Sequence, residues 1–374
     1  MSCNFTVLKF FIDTFVADKL KLNIKQKNLI MINIRLQLVN ETYTIKRDVT
    51  SLPGIVKRIF TVMTAILLLS GFFSCSKESD DRNTTIDNIS FENYPRVDGS
   101  TSTQPLSTMI ACKLLKISCE WAPGILEYRM MPDREEIPEG YSDFFNERIK
   151  VSQTHGAFMN LIEGNTDIIL THRTISPYEK ERADELGITL IETPIALDAF
   201  VFVVNKENPV RNLTVDQVQR IYTEEIINWQ QVGGNDVAII PFTRPRNSGS
   251  EEIMRSLVMG GLLMGDFPES EISTMAGVFP ELRDNDGGFC YTFDFYKEFM
   301  VHTTDENVPK ISINSVFPNE NTIRNGTYPF ISEVNVAIRS DLNQNSMAYK
   351  LYQWIQTEGA RSAISETGYI PKLD

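Results

Sequence analysis

Apolar positions first recur with helical spacing at Leu106, Met109, Ile110, Leu114 and Leu115, inside "RVDGSTSTQPLSTMIACKLLK". Residues three and four apart share a helix face, so this run predicts a strand end, a small-residue loop and then a helix. A second helix is expected over Ala157–Glu163, followed by a Gly-Asn turn and the buried strand "DIILT". The polar helix "YEKERADELG" leads into the strand "ITLIETPI". "DAFVFVVNK" is apolar without alternation, the pattern of a strand covered on both faces. "LTVDQVQRIYTEEIINW" reads as a helix capped by Thr214. The short strand "VAIIPFT", the helix "SEEIMRSLVMGG", the strand "VNVAIR" and the closing helix "SMAYKLYQWIQTEGARSAISETG" complete the order. The stretch 117–153, with three prolines and mixed charge, shows no clear pattern. Alternating strands and helices give an α/β class with mostly parallel sheets, and no short internal repeat is visible.

The N-terminal part reads differently. "KRIFTVMTAILLLSGFFSCSKESDD" places Lys57 and Arg58 before an apolar run from Ile59 to Phe73, then Cys75. The run is short for a membrane span, and its basic start and small-residue end mark an export signal over 55–75. The Ser74-Cys75 ending resembles a bacterial lipoprotein signal, in which the cysteine carries the lipid; the alternative is a plain signal peptide or a short anchor. Residues 1–54, upstream of that signal, carry no domain pattern and are expected to lie outside the mature protein, through a start site set too early or an unusually long basic region. The polar stretch 76–93 is expected to be a flexible tether, with the folded part beginning near Tyr94.

A chain of 374 residues, 42% of them apolar, is long enough for two domains with cores of their own. Its formal net charge of -13 argues against nucleic acid or an anionic membrane surface as partner. It does not exclude a small anionic ligand, because a cleft sets its own local field. Cys112 and Cys119 would sit about 10 Å apart on one continuous helix, too far for a disulfide. A bridge would need the helix to end between them, and with Cys290 the pattern reads as buried or free thiols. There is no HExxH, no His/Cys metal spacing, no GxGxxG and no GxSxG elbow.

Three loops share one chemical character: "DGSTSTQPL" (98–106), "SQTHGAF" (152–158) and "RPRNSGSEE" (244–252). Each follows a strand-like run or loop, is rich in small hydroxyl residues, and opens a helix. Unpaired N–H groups at a helix start attract anions. Serine and threonine add donors without bulk, Gly249 permits close backbone approach, and Arg244 adds charge in a planar donor set suited to an oxyanion. Taken singly, each loop is also an ordinary cap or turn.

"LTVDQVQRIYTEEIINWQQVGG", "RPRNSGSEEIM", "NGTYPF" and "YQWIQTEGARSAISETGYIP", in this order, resemble the phosphate-binding proteins of bacterial ABC transporters from about Tyr94 to the C-terminus. The resemblance implies a two-lobed periplasmic-binding-protein fold of type II, with a hinge of two crossover strands near "LDAFVFVVN" and "YPFISEV". Lobe 1 would be 94–200 plus 327–374 and lobe 2 would be 201–326, with the anion between them. Carried over residue by residue, the ligand set is Arg244, Ser248, Gly249 and Ser250; Ser100, Thr101, Ser102 and Thr103; and Thr154. The family's aspartate, which accepts a proton from phosphate, falls on His172 or Arg173; a neutral imidazole accepts a proton and a guanidinium does not. His155 is a further ligand candidate, His302 reads as surface, and Arg246 is left without a role.

The function implied is capture of phosphate or a similar oxyanion by lobe closure, for delivery to an inner-membrane ABC permease. No cofactor, metal or covalent chemistry is implied. The protein would be exported, lipid-anchored at Cys75 to the periplasmic side or the outer surface, and monomeric. The alternatives are a receptor or sensor of the same fold for another ligand and, further off, a phosphatase using Ser248 and His172.

Overall fold

The computed structural model describes residues 85–125, 127–267, 275–301 and 307–372, all within the unit Asp80–Asp374. The upstream segment 1–54, the export signal with Cys75, the tether up to residue 84, and His302 lie outside the described residues.

Strand β1 (Val97–Gly99) turns through small residues into helix α1 (Gln104–Leu115). Lys116 then adopts the left-handed conformation and ends the helix. Cys112 therefore stands on α1 and Cys119 on the next strand, so the one-helix separation does not apply. Both thiols, and that of Cys290, are free. The unpatterned stretch contains an antiparallel hairpin, β2 (Cys119–Pro123) and β3 (Tyr128–Pro132). Helix α2 (Gln153–Ile162) starts four residues earlier than Ala157 and leads to β4 (Ile168–Thr171) and α3 (Pro177–Glu185). Ser176 and Glu179 form a reciprocal capping box at the start of α3.

The two strands expected on either side of residue 197 are one continuous strand, β5 (Leu190–Val204). Pro194 has no N–H to give a ladder, and the partner strand answers with a register shift at Val334/Asn335, opposite Ala196 and Pro194. Thr214 caps α4 (Val215–Tyr222) with a capping box. The helix stops well before Trp229, where Glu224 takes a positive φ of 63°. Strand β6 (Ile240–Pro241) precedes the short helix α5 (Gly249–Ile253), which continues as a π-helical turn over Met254–Val258. Strand β7 (Gly288–Phe293) leads into a second π-helical turn, Tyr296–Met300. Strand β8 (Ile331–Arg339), helix α6 (Met347–Ile355), helix α7 (Glu358–Thr367) and strand β9 (Ile370–Pro371) end the order. The single closing helix is thus two, because the Thr357 side chain accepts from Gly359 N–H and starts a new one.

The main sheet runs β1-β4-β8-β5-β7-β6, with β9 also on β5. Its outer pairs, β1–β4 and β6–β7, are parallel, as expected. Its middle is not: β8 runs antiparallel to both β4 and β5, and β7 runs antiparallel to β5. The sheet is mixed, with antiparallel pairs along β5 and β8 in its middle, and β5 runs from one part of it into the other. β5 pairs with β8 up to Ala199 and with β7 from Phe200 onward. Its strands carry the apolar core, with Ala199, Phe200, Val201, Phe202 and Val203 all buried.

Residues 85–93 correct the tether expectation. Ile86 is buried, Ile89 and Phe91 pack against the core, and the Phe91 ring meets Phe144 edge-on at 4.9 Å. Three apolar side chains in nine residues give this segment enough surface to bury.

Candidate functional site

The first loop is fixed by contact with β4. Ser100 N donates to Leu170 O at 3.2 Å, and Thr103 Oγ1 donates to the same carbonyl at 2.8 Å. A β-carbon at Gly99 would lie 2.6 Å from Leu170 O, so only glycine brings the loop this close. Asp98 ties this loop to the second. Its Oδ1 accepts from Ser152 N and its Oδ2 from Asn160 Nδ2, at 2.9 and 2.8 Å. At the α2 start, Gln153 holds a left-handed φ of 62°, a conformation that costs a non-glycine residue free energy.

The third loop is held by Glu251, a buried carboxylate. It accepts from Arg244 N at 3.3 Å, from the Tyr291 hydroxyl, and from Arg255 at 2.8 Å. Burial first, and then the Glu251 charge, push the Tyr291 phenol far up, so it stays a donor. Ser248 Oγ accepts from Glu251 N. Across from it, a β-carbon at Gly249 would come within 2.4 Å of Thr154 Oγ1. The second and third loops therefore touch at a glycine.

These loops enclose a cavity of about 280 Å3. Of the expected ligand residues, Ser100, Thr101, Ser102, Thr154, Arg244, Ser248, Gly249 and Ser250 line it together. Arg244 is buried there. Thr103, Arg173, His172 and His155 do not line it, and each has a local reason. The Thr103 hydroxyl points back to Leu170 O and Ser100 O. The Arg173 guanidinium makes two 2.7 Å bonds to Glu179, and its plane lies over Phe158. Burial alone would push the Glu179 carboxyl up, but Arg173 outweighs it and holds the group below the usual range. His155 Nδ1 sits 3.0 Å from the same carboxylate. Arg246 is exposed, away from the cavity.

His172 meets the cavity wall through Ser102 and through the Phe293 ring, 4.3 Å away. The Tyr369 hydroxyl donates to Ser102 O at 2.7 Å, so its oxygen accepts where it meets His172 Nε2 at 3.2 Å. The Nε2 atom therefore carries a proton, which also faces Asp198 Oδ2 at 3.0 Å. The opposite ring nitrogen, Nδ1, lies 3.0 Å from Ser102 Oγ. Asp198 Oδ1 accepts from Ala199 N and Phe295 N. This buried network sits behind the first loop and fixes its position.

Sequence reasoning missed three polar residues of the wall, Glu127 and Arg129 of the β2–β3 hairpin and Gln153, beside Val151, Pro245, Met275 and Phe293. Glu127 Oε1 accepts from Arg129 at 2.9 Å, and its Oε2 accepts from the Tyr296 hydroxyl. Glu127 also bridges Val301 in antiparallel register. Trp121 on β2 lies 6.3 Å from both the Phe295 and Phe299 rings, nearly parallel to the second. The available signal was the Glu-Tyr-Arg spacing, which sets two opposite charges on one face of an extended segment. Among the described residues no cluster of three or more His, Cys, Asp or Glu is placed to hold a metal, and no helix is long and apolar enough to cross a membrane.

Residues 139–358 match the family model described as a PBP superfamily domain. The chain is 26% identical over 251 residues to the protein SphX of Synechococcus elongatus, covering 63% of this chain and 74% of that protein. It is 24% identical over 213 residues to the phosphate-binding protein PstS of Bacillus subtilis, covering 56% of this chain and 64% of that one. The crystal structure of an ABC-type phosphate transport receptor from Vibrio cholerae superposes with a TM-score of 0.51 at 25% identity, covering 74% of this chain and 99% of that one.

Proposed function

The chain belongs to the PBP superfamily, and from that premise we propose that it captures inorganic phosphate, or a similar tetrahedral oxyanion, between two lobes for an ABC importer. The lobes are 94–200 with 327–374, and 201–326, and they close about the crossings of β5 and β8. One observation carries the reading: three loops far apart in sequence bring hydroxyls, a close-approach glycine and a buried arginine to a single cavity. A tetrahedral oxyanion needs many donors in a small space. Arg244 supplies charge, and Ser100, Thr101, Ser102, Thr154, Ser248 and Ser250 supply hydroxyls. Gly249 lets the second and third loops meet around the ligand. Capture and release need only lobe movement, with no bond made or broken. The chain is exported, anchored through lipid on Cys75, and works as a monomer beside an inner-membrane permease.

A ligand that binds only the folded state raises its melting temperature by mass action. Thermal melts with phosphate, sulfate, molybdate and a phosphate ester test the reading. Stabilisation by phosphate is expected, and no response to any of the oxyanions overturns it. Turnover of the ester would restore the enzyme alternative.

A further inference from the structure

A continuous helix would hold Cys112 and Cys119 apart, and the fold removes that obstacle. Helix α1 ends at Lys116, whose φ of 59° turns the chain back on itself. Ile117 N donates to Cys112 O at 3.0 Å and closes the turn. Cys119, the first residue of β2, then lies beside the helix the chain has just left. Its Sγ donates to Met109 Sδ at 3.6 Å. Met109 stands three residues before Cys112 on α1, so the two share a helix face. Cys119 therefore reaches the face that carries Cys112, and there the Cys112 thiol donates to the Cys119 sulfur.

The pair is asymmetric. Cys112 is buried and Cys119 is half-buried. Their shared hydrogen bond, together with burial, pushes the Cys112 thiol up. The same bond draws the Cys119 thiol down, against its own desolvation. Only a thiolate attacks a disulfide, so Cys119 is the sulfur that attacks and Cys112 the one that follows. Cys290, on β7, is the internal control: it is buried, and burial pushes its thiol up to about 12.

We propose that Cys112 and Cys119 form a reversible disulfide that staples the end of α1 to the start of the β2–β3 hairpin. The Cys119 thiolate attacks one sulfur of an external disulfide, carried by a small molecule or a thiol–disulfide exchange protein. A mixed disulfide forms as the first donor thiol leaves. The Cys112 sulfur then attacks Cys119 Sγ, gives up its proton and expels the second donor thiol. Two thiols of the chain are oxidised, one donor disulfide is reduced to two thiols, and the two protons pass to them. A chain exported from the cytosol meets such donors. Helix α1 opens at the first hydroxyl loop, and the hairpin carries Glu127 and Arg129. The bridge thus joins the supports of two parts of the cavity wall.

The test is a peptide map of the full, folded chain after exposure to oxidised glutathione, followed by denaturation, alkylation and trypsin, which cuts between the two cysteines at Lys113 and Lys116. The peptides holding Cys112 and Cys119 should be recovered joined, two hydrogens lighter than the free thiols, and dithiothreitol should separate them. Cys290 should be recovered alkylated. Cys112→Ser should trap glutathione on Cys119, whereas Cys119→Ser should leave the Cys112 thiol unmodified. The oxidised chain should melt about 5 °C above the reduced one, the scale of closing a short loop, and Cys112→Ser should remove the difference. Separate alkylation of Cys112 and Cys119, or a link from either to Cys290, overturns the proposal. So does glutathione on Cys112 in the Cys119→Ser protein, and so does equal melting of the joined and reduced chains. If a variant fails to fold, the map of the unaltered chain decides alone.

Discussion

The hydroxyl loops and the β2–β3 hairpin face one cavity but are built by opposite means. The loops are held at their backbone atoms, by the sheet and by the side chains of Asp98, Glu251, Tyr291 and Tyr369. Ser100 and Thr103 hang on Leu170 O, Ser152 N hangs on Asp98, and Gly249 sits where no β-carbon fits. The hairpin is set by side chains from residues far along the chain. Tyr296 reaches Glu127 across 169 positions, and Trp121 lies against Phe295 and Phe299. Loops anchored on a sheet give a binding wall that tolerates little change. The hairpin presents its part of the wall through the side chains of Glu127 and Arg129.

The comparison breaks most readily on the loop side. Arg244→Ala should remove the anion-induced rise in melting temperature and lower affinity by about 100-fold or more, the scale of losing charged hydrogen bonds. Circular dichroism should stay unchanged. Unaltered affinity would mean that the loops do not hold the ligand. Gly249→Ala comes next. Its β-carbon would collide with Thr154 Oγ1 at 2.4 Å, and overpacking of this kind corresponds to about a 10-fold loss of affinity. Adding Thr154→Ala, which deletes the colliding oxygen, should recover part of that loss; no recovery would place the effect elsewhere.

On the hairpin side the expected effect is smaller and of another kind. Tyr296→Phe removes the hydroxyl that Glu127 accepts from. It should cost about 1–2 kcal/mol of stability in urea unfolding, with a weaker effect on phosphate affinity than Gly249→Ala. A loss of affinity as large as that of Arg244→Ala would erase the distinction between the two walls.

The same contrast explains what could be read in the sequence. The loops were legible because their chemistry is local. A glycine, a run of hydroxyls and a following helix are neighbours in sequence as in space. Element order was legible for the same reason, as Thr214 and its capping box illustrate. Pro194 hid the continuity of β5, because a proline usually breaks a strand and its accommodation depends on a bulge at Ile195, set against Val334 and Asn335 some 140 residues later. Arg173 misled because Glu179, six residues on at the start of the next helix, takes its guanidinium, and His172 because Asp198 and Tyr369 are brought to it by tertiary structure. Glu127 was missed because its segment shows no periodicity and its partner Tyr296 lies 169 positions away.

Tyr369 has a consequence of timing. Its hydroxyl donates to the Ser102 carbonyl, and its ring stacks on Phe295 at 3.7 Å. A chain made from its N-terminus forms its earlier parts first, yet the loop at residues 100–102 lacks this donor until position 369 has emerged. The first piece of the cavity to be synthesised is therefore among the last to be finished, and a partly made chain carries hydroxyls at the right places without the frame that holds them still.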